Sequence, residues 1–524
     1  MRLPSWRLSS LVLIIASLLV AALVLLTPLY LLIRTIGAGQ AVVDMLLKPG
    51  TLAALGNTVL LTGAVTAAAT LIAVPIAWLT TCTDLPYRRF WTVVTALPLV
   101  LPSYVAAYLL VSVLGPKGLL QQLLAPWGVD RLPNIYGFPG AFLALTLMSY
   151  PFILLTVRAA LKRMDPALLE AARSLGLSPW RAFWRVTLPH LRPSIVAGSL
   201  LVALYVLRDF GAVSMMRYDT FTRIIYIQYR SFADRSLAAA LALVLIAMTA
   251  IILYLDHRTR GKAQYGRRSV GVARQVKRVS LSRGQRWLAL SMVSLISFVA
   301  LVLPAGGLVY WVARGVMNGQ ELRSVWQSAQ GSLTASLAAA ALTILAALPV
   351  AILAVRRSDR LSRLIEHLTY VGYALPGIVI ALALVFFGAQ YVRPLYQTLP
   401  MLLAAYVILF IPQAVGATRA SLLQVPRCME EAGRSLGRNS LSVFQRITFP
   451  LVRPGVLAGG ALVFLTCMKE LPATLILSPT GFQSLAVDVW SSISEAFFAQ
   501  AAAPALLLII LSSIPLAILT FRDK

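Results

Sequence analysis

The chain contains a second copy of part of itself. Glu170–Gly198 and Glu431–Gly459 align without a gap at a constant offset of 261, and 14 of the 29 positions are identical. The copies open with Glu170-Ala171-Ala172-Arg173-Ser174-Leu175-Gly176 and Glu431-Ala432-Gly433-Arg434-Ser435-Leu436-Gly437, and each continues to a hydrophobic-Thr-hydrophobic-Pro run ending at Pro189 or Pro450. A repeat at fixed spacing means one structural unit used twice, so every other feature must fit two related halves.

What the halves are made of follows from composition. Of 524 residues 59% are hydrophobic and 12% charged, with a mean hydropathy of +0.82; soluble domains carry about a quarter charged residues. Apolar runs long enough to cross hydrocarbon as helix, about 20 residues each, recur near 10–33, 56–80, 92–114, 138–160, 194–213 and 236–255. A second set follows near 287–313, 332–355, 368–390, 398–422, 454–474 and 499–521. The expected fold is an all-α polytopic membrane protein, with about 12 spans arranged as two parallel six-helix repeats. Residues 1–256 form the first half, 257–286 a basic linker and 287–524 the second half. The run Leu11–Ile33 is read as a retained first span, because it is longer than a signal-peptide core and no small-x-small cleavage site follows it.

The net charge of +28 would suggest nucleic acid in a soluble protein. Here it falls in short loops and in the linker, which holds ten Lys or Arg and no acid, and no aromatic-interleaved basic motif of the RNA-binding kind occurs. A nucleic-acid partner is therefore not expected. Cytoplasmic loops collect Lys and Arg, so these segments face the cytoplasm, as do both termini. Three cysteines without a CxxC and three scattered histidines give neither a disulfide framework nor a zinc site.

The duplicated loops, about 162–193 and 423–454, read as short helices at the membrane surface. Asp165-Pro166 starts the first, Gly176 ends it, and Trp180–Val186 forms another that Pro189 and Pro193 are expected to stop. Glu170 and Arg173 are then exposed beside small Ala171 and Ala172, a surface a partner could approach closely. Prolines recur at matching places: Pro75 with Pro349, and Ala96-Leu97-Pro98 with Ala374-Leu375-Pro376.

The repeated pattern resembles Glu-Ala-Ala-x3-Gly-x9-Ile-x-Leu-Pro, the cytoplasmic loop of binding-protein-dependent ABC importer permeases with a MetI-like core. The first copy departs by Val186 for Ile, and the second by Gly433 for the second Ala and Phe449 for Leu. The resemblance implies that Glu170, Ala171, Ala172, Gly176, Pro189, Glu431, Ala432, Gly433, Gly437 and Pro450 couple the chain to two copies of an ABC ATPase subunit. No GxxxxGK[ST] phosphate loop occurs here, so the chain itself needs no cofactor, and ATP and Mg would be bound by the partner. It further implies an extracytoplasmic solute-binding protein outside and a bacterial inner-membrane location. The stretches Leu207-Arg208-Asp209-Phe210-Gly211-Ala212-Val213-Ser214, Arg217–Thr222 and Lys469-Glu470-Leu471-Pro472-Ala473-Thr474 resemble the fused ferric-iron permeases. Permeases for thiamine, phosphonate or polyamine share the architecture, and an ion-coupled secondary transporter is the rival without docking loops.

Arg208-Asp209 and Lys469-Glu470 are related by the same offset, and charges within a span are costly and face a cavity or each other. Three readings stand: they line or gate the pathway, they make a structural pair such as Arg208 with Glu470, or their depth, about 15 residues into a span, is misplaced by the span boundaries. Direct coordination of iron finds no convergent cluster of Tyr, His and carboxylate. Arg217, Arg223 and Arg230 fall on the outer side against the charge rule; they are locally paired, or the span boundary is misplaced, or they form a docking surface for the binding protein.

Overall fold

The computed structural model describes residues 5–164, 171–172, 174–231, 235–260, 279–319, 323–357 and 359–522. Among them the backbone is helical, with one isolated bridge between Thr83 and Val279. Ten helices are long and apolar enough to cross a membrane, from Leu11–Gly37 to Ser440–Met468. A bent pair, Arg360–Tyr373 with Gly377–Tyr391, and the final Phe498–Arg522 helix complete the expected set. The protein is an all-α polytopic membrane protein.

A helix in lipid must satisfy its own polar groups, and hydroxyls here turn back on the chain. Thr58, Thr62 and Thr80 donate to the carbonyls of Ala54, Thr58 and Ile76, four residues earlier. The Pro49–Cys82 helix buries a stripe of small residues, Ala54, Val65, Ala69, Ala73 and Ala77, while Leu60 and Leu71 stay exposed on the opposite side. Small residues let helices approach closely where lipid provides no hydrophobic drive for association.

The chain folds as two compact units, neither continuous in sequence. One comprises Lys48–Ile224 and Ala247–Arg314, the other Met1–Leu47, Ile225–Ile246 and Gly315–Lys524. In the first unit the Pro49–Cys82, Phe138–Arg163 and Leu188–Arg208 helices pack together. In the second, Arg323–Arg356, Leu399–Leu422 and Phe449–Met468 make the same trio. The first span of each half belongs to the unit built on the other half. Ser5–Gly37 packs on Arg323–Arg356, Arg360–Tyr370 and Gly377–Tyr391, with Tyr30 edge-on to Phe387 and Arg34 over the Phe386 ring. Arg286, at the start of the seventh span, reaches Asp84 at 2.7 Å, and Gly307 packs against Leu109.

Buried Arg158 ties the Phe138–Arg163 helix to Pro49–Cys82 and to the short Arg88–Val94 helix that follows it, donating to Thr80 Oγ1 at 3.1 Å, Thr92 O at 2.7 Å and Thr95 Oγ1 at 2.7 Å. Its counterpart Arg419 (158 + 261) meets Glu366 at 3.0 Å, and Glu366 is the counterpart of Thr92 at the offset of 274 set by Pro75 and Pro349. That offset corrects one sequence match. Pro376 precedes the Gly377–Tyr391 helix with φ −62° and ψ 146°, and its equivalent is Pro102 (376 − 274), which precedes Ser103–Leu114 with φ −64° and ψ 143°. Pro98 lies inside the tight 3₁₀ turn Leu97–Val100. The Ala-Leu-Pro triplets look alike, but the break sits one turn later in the first half.

Candidate functional site

The two duplicated loops are built alike wherever both are described. Gly176 and Gly437 take φ +80° and +78°, the left-handed conformation that closes a helix at low cost only for glycine. The N–H of Leu177 donates to Ala172 O at 3.2 Å and that of Arg438 to Gly433 O at 3.3 Å, the paired closure of a Schellman end. Ser178 and Asn439, also 261 apart, cap the next turn through Arg181 N and Ser442 N. Glu170 and Arg173 lie outside the described residues. Ala171, Glu431 and Ala432 are exposed and Ala172 is buried. Leu175 and Leu436 are 84% and 82% exposed, two apolar side chains held out at one position of the repeat.

The second loop's departure from the pattern has a packing reason. A Cβ on Gly433 would lie 2.6 Å from Ile447 Cδ1 and 3.2 Å from Val443. Where the first copy has Ala172 and Val186, the second has Gly433 and Ile447, so a methyl lost from one position is regained at the other.

The expected stop at Pro189 and Pro193 is corrected. The chain passes through a π turn, Phe183–Thr187, directly into the Leu188–Arg208 helix, and Phe444–Thr448 leads into Phe449–Met468 in the same way. Pro189 and Pro450 occupy the first turn of these helices, where a missing N–H costs little. The wide turn re-registers the backbone so the helix continues. From Pro179 and Ser440 onward, each loop is therefore continuous with a span.

Those spans end where the ionisable pairs stand. Arg208 is the last residue of its helix and Met468 of the other. From Leu188 to Arg208 is about 30 Å at 1.5 Å per residue, against the shorter depth that a 194–213 span implies. Asp209 Oδ1 accepts from Ala212 N at 2.9 Å and Val213 N at 3.4 Å, and Oδ2 accepts from the Ser103 hydroxyl. Thr222 donates to the Asp209 carbonyl at 2.7 Å. Glu470 Oε1 accepts from Ala473 N at 3.3 Å, and Thr474, itself 2.6 Å from Tyr406 Oη, donates to the Glu470 carbonyl. Each carboxylate thus caps a short helix in its own unit. A small cavity lined by Ser332, Ser336, Tyr406, Met468, Glu470 and Phe482 adjoins the second.

The arginines expected to dock the binding protein are engaged locally. Arg223 pairs with Asp219, Arg217, at φ +53°, lies over the Tyr136 ring, and Arg230 lies over Tyr226. Arg230 belongs to a different compact unit from Arg217 and Arg223. Among the described residues no three His, Cys, Asp or Glu converge as a metal site.

Sequence reasoning missed Glu430. It is buried beside exposed Glu431, 2.7 Å from Arg356 Nη2 and 3.0 Å from Thr448 Oγ1, while Arg356 also donates to Val425 O. One carboxylate ties the second loop to two spans.

The chain is 35% identical over 494 residues, 94% of its length and 94% of the relative's, to the "Fe(3+)-transport system permease protein FbpB 2" of Haemophilus influenzae. Over 210 residues, 38% of this chain and 91% of the relative, it is 34% identical to the "Molybdenum transport system permease protein ModB" of Escherichia coli K12. Over 202 residues, 37% of this chain and 71% of the relative, it is 30% identical to the "Sulfate transport system permease protein CysT" of the same organism. The family model "Binding-protein-dependent transport system inner membrane component" matches twice, over residues 83–260 and 343–523. With both copies of the loop inside these matches, the chain belongs to that family, as a multi-pass inner-membrane permease subunit of an ABC importer carrying two family domains in one polypeptide.

Proposed function

We propose that this permease carries ferric iron, driven by two copies of a separate ABC ATPase that bind ATP and Mg. The observation that carries the substrate is likeness to an Fe(3+)-transport permease over 94% of both chains; the molybdenum and sulfate relatives match 38% and 37% of this one. Two similarly closed, exposed loops support two ATPase copies, one to a loop, with Leu175 and Leu436 as apolar anchors and Glu170 and Glu431 setting register. Both termini and both loops face the cytoplasm. The solute-binding protein docks outside against Arg217, Arg223 and Arg230. Nucleotide-driven closure of the ATPases pushes the loops, and the helices that continue from them carry the movement to Arg208, Asp209, Lys469 and Glu470, where the gate lies. A bistable bundle whose balance shifts with nucleotide satisfies the energetics.

The test is uptake of labelled ferric iron by cells with and without the gene, with labelled molybdate and thiamine alongside. Loss of iron uptake alone is expected; unchanged iron uptake in cells lacking another importer discards the substrate and leaves the family membership intact. Reversing both loop charges, Glu170→Lys with Glu431→Lys, is expected to abolish uptake while the chain inserts at the wild-type level. Wild-type uptake by that variant would remove these glutamates from coupling.

A further inference from the structure

The two broken-span carboxylates differ by one methylene, and the residues facing them differ in the opposite sense. Asp209 and Glu470 are equivalent at the offset of 261, and Ser103 and Gly377 at 274 (377 − 103), each opening the helix that follows the break within the third span of its half. The short Asp209 carboxylate meets the Ser103 hydroxyl. The longer Glu470 carboxylate lies over Gly377, where an added Cβ would be 2.2 Å from Oε1. The next layer differs as well: Gly211 sits under Tyr104, with an added Cβ 2.7 Å from Tyr104 Cβ, and its counterpart Pro472 (211 + 261) stands 3.5 Å from the Cβ position of Gly377.

One contact therefore joins three segments in each unit: the end of the helix that starts in the coupling loop, the short helix that follows it, and the first turn of the helix beyond the break in the third span. We propose that Asp209 with Ser103, and Glu470 with Gly377, are size-matched joints that pass movement of the coupling-loop helix to the break in the third span. On this assignment the carboxylates are positioning residues rather than ligands of the transported ion. The proposal rests on the importer reading above and adds which residue each carboxylate needs opposite it.

A swap within each pair tests the match. Asp209→Glu leaves no room beside Ser103, and Ser103→Gly restores it; Glu470→Asp loses its reach, and Gly377→Ser supplies a hydroxyl to meet it. Two quantities are read: the thermal midpoint of the purified full-length chain, and iron imported per ATP hydrolysed with the cognate ATPase and binding protein in proteoliposomes. Each single variant is expected to lower the midpoint and cut import per ATP about tenfold, the loss of one charge-assisted hydrogen bond. Each double variant is expected to return to within about twofold of wild type, a coupling that contacting residues show and distant ones do not. Doubles no better than the singles overturn the match. Singles with a lowered midpoint but wild-type import per ATP overturn the transmitting role. If a single fails to accumulate, its double is compared directly with wild type, and an inactive double overturns the proposal. Wild type importing no iron strikes at the substrate alone; import per ATP is then read with molybdate, and the midpoints decide the match in any case.

Discussion

At the residue scale, adjacent glutamates have opposite fates. Glu431 belongs to the repeated pattern and is exposed, whereas Glu430 is 10% exposed at its side chain and paired with Arg356 at 18%. Removing one partner of a pair this buried strands the other, a cost of about 1–3 kcal/mol. Glu430→Ala is expected to loosen the second loop, read as faster tryptic cleavage at Arg434 and Arg438, and to lower uptake severalfold. Cleavage and uptake like wild type would show that Arg427, which donates to Val355 O at 3.0 Å, holds the loop by itself. The repeated pattern was legible residue by residue because glycine, proline and small side chains are dictated by local backbone geometry. Glu430 was not, since its partner lies 74 positions away and nothing local distinguishes it from Glu431. A signal existed in the departures: the counterparts of Arg356 and Glu430 are Cys82 and Leu169, so two opposite charges enter the second half together.

At the scale of elements, equivalent glycines differ in how tightly their helices meet. A Cβ on Gly198 would lie 2.8 Å from the Ile153 backbone and 2.5 Å from Thr156 Oγ1; on Gly459 the nearest atom is 3.1 Å away. Alanine gains about 1 kcal/mol of helix propensity over glycine, while overpacking costs about 1–3 kcal/mol. Gly198→Ala is therefore expected to lower the thermal midpoint and Gly459→Ala to leave it nearly unchanged, and the reverse order would show that the Leu188–Arg208 helix can shift away. Apolar runs placed the helices themselves in the sequence. They misplaced the starts of the spans that follow the duplicated loops, because a π turn absorbs a proline that normally signals a stop.

The junction of linker and seventh span adds a pH dependence at this scale. Asp84 accepts from Leu281 N at 2.9 Å and Arg286 Nη2 at 2.7 Å, and that N–H, then the guanidinium, hold its carboxyl below the ordinary carboxylate value. A depressed acid stabilises fully above its unfolded value, about 3.9, and the contribution is lost as pH falls through the folded value. The midpoint of Asp84→Asn is thus expected to lie below wild type at pH 6–8, with the gap closing as pH falls below the ordinary carboxylate range. A gap that persists there would assign the junction to hydrogen bonds of the neutral group.

At the scale of the molecule, the compact units and the sequence halves do not coincide. The unit on the first repeat takes in Ala247–Arg314, and the unit on the second takes in Met1–Leu47. This exchange was invisible in the sequence, because a span's hydrophobicity says that it crosses the membrane and not which helices it packs on. It has a consequence for folding. A fragment of residues 1–262 would hold the Pro49–Cys82, Phe138–Arg163 and Leu188–Arg208 trio but lack the helix carrying Arg286 and Gly307. A fragment of residues 279–524 would leave Leu353 and Ile365 without the Ala21 they cluster with. Each alone exposes packing surface that a span from the other fragment covers in the whole chain: Asp84 and Leu109 in the first, Leu353, Ile365 and Phe387 in the second. Neither fragment is expected to accumulate in membranes by itself, while the two expressed together are expected to accumulate and restore uptake, since the cut falls between the packed spans. Stable accumulation of residues 1–262 alone would show that the trio suffices and that the exchanged span is peripheral to folding. Accumulation of both together without uptake would instead show that the covalent linker takes part in transport.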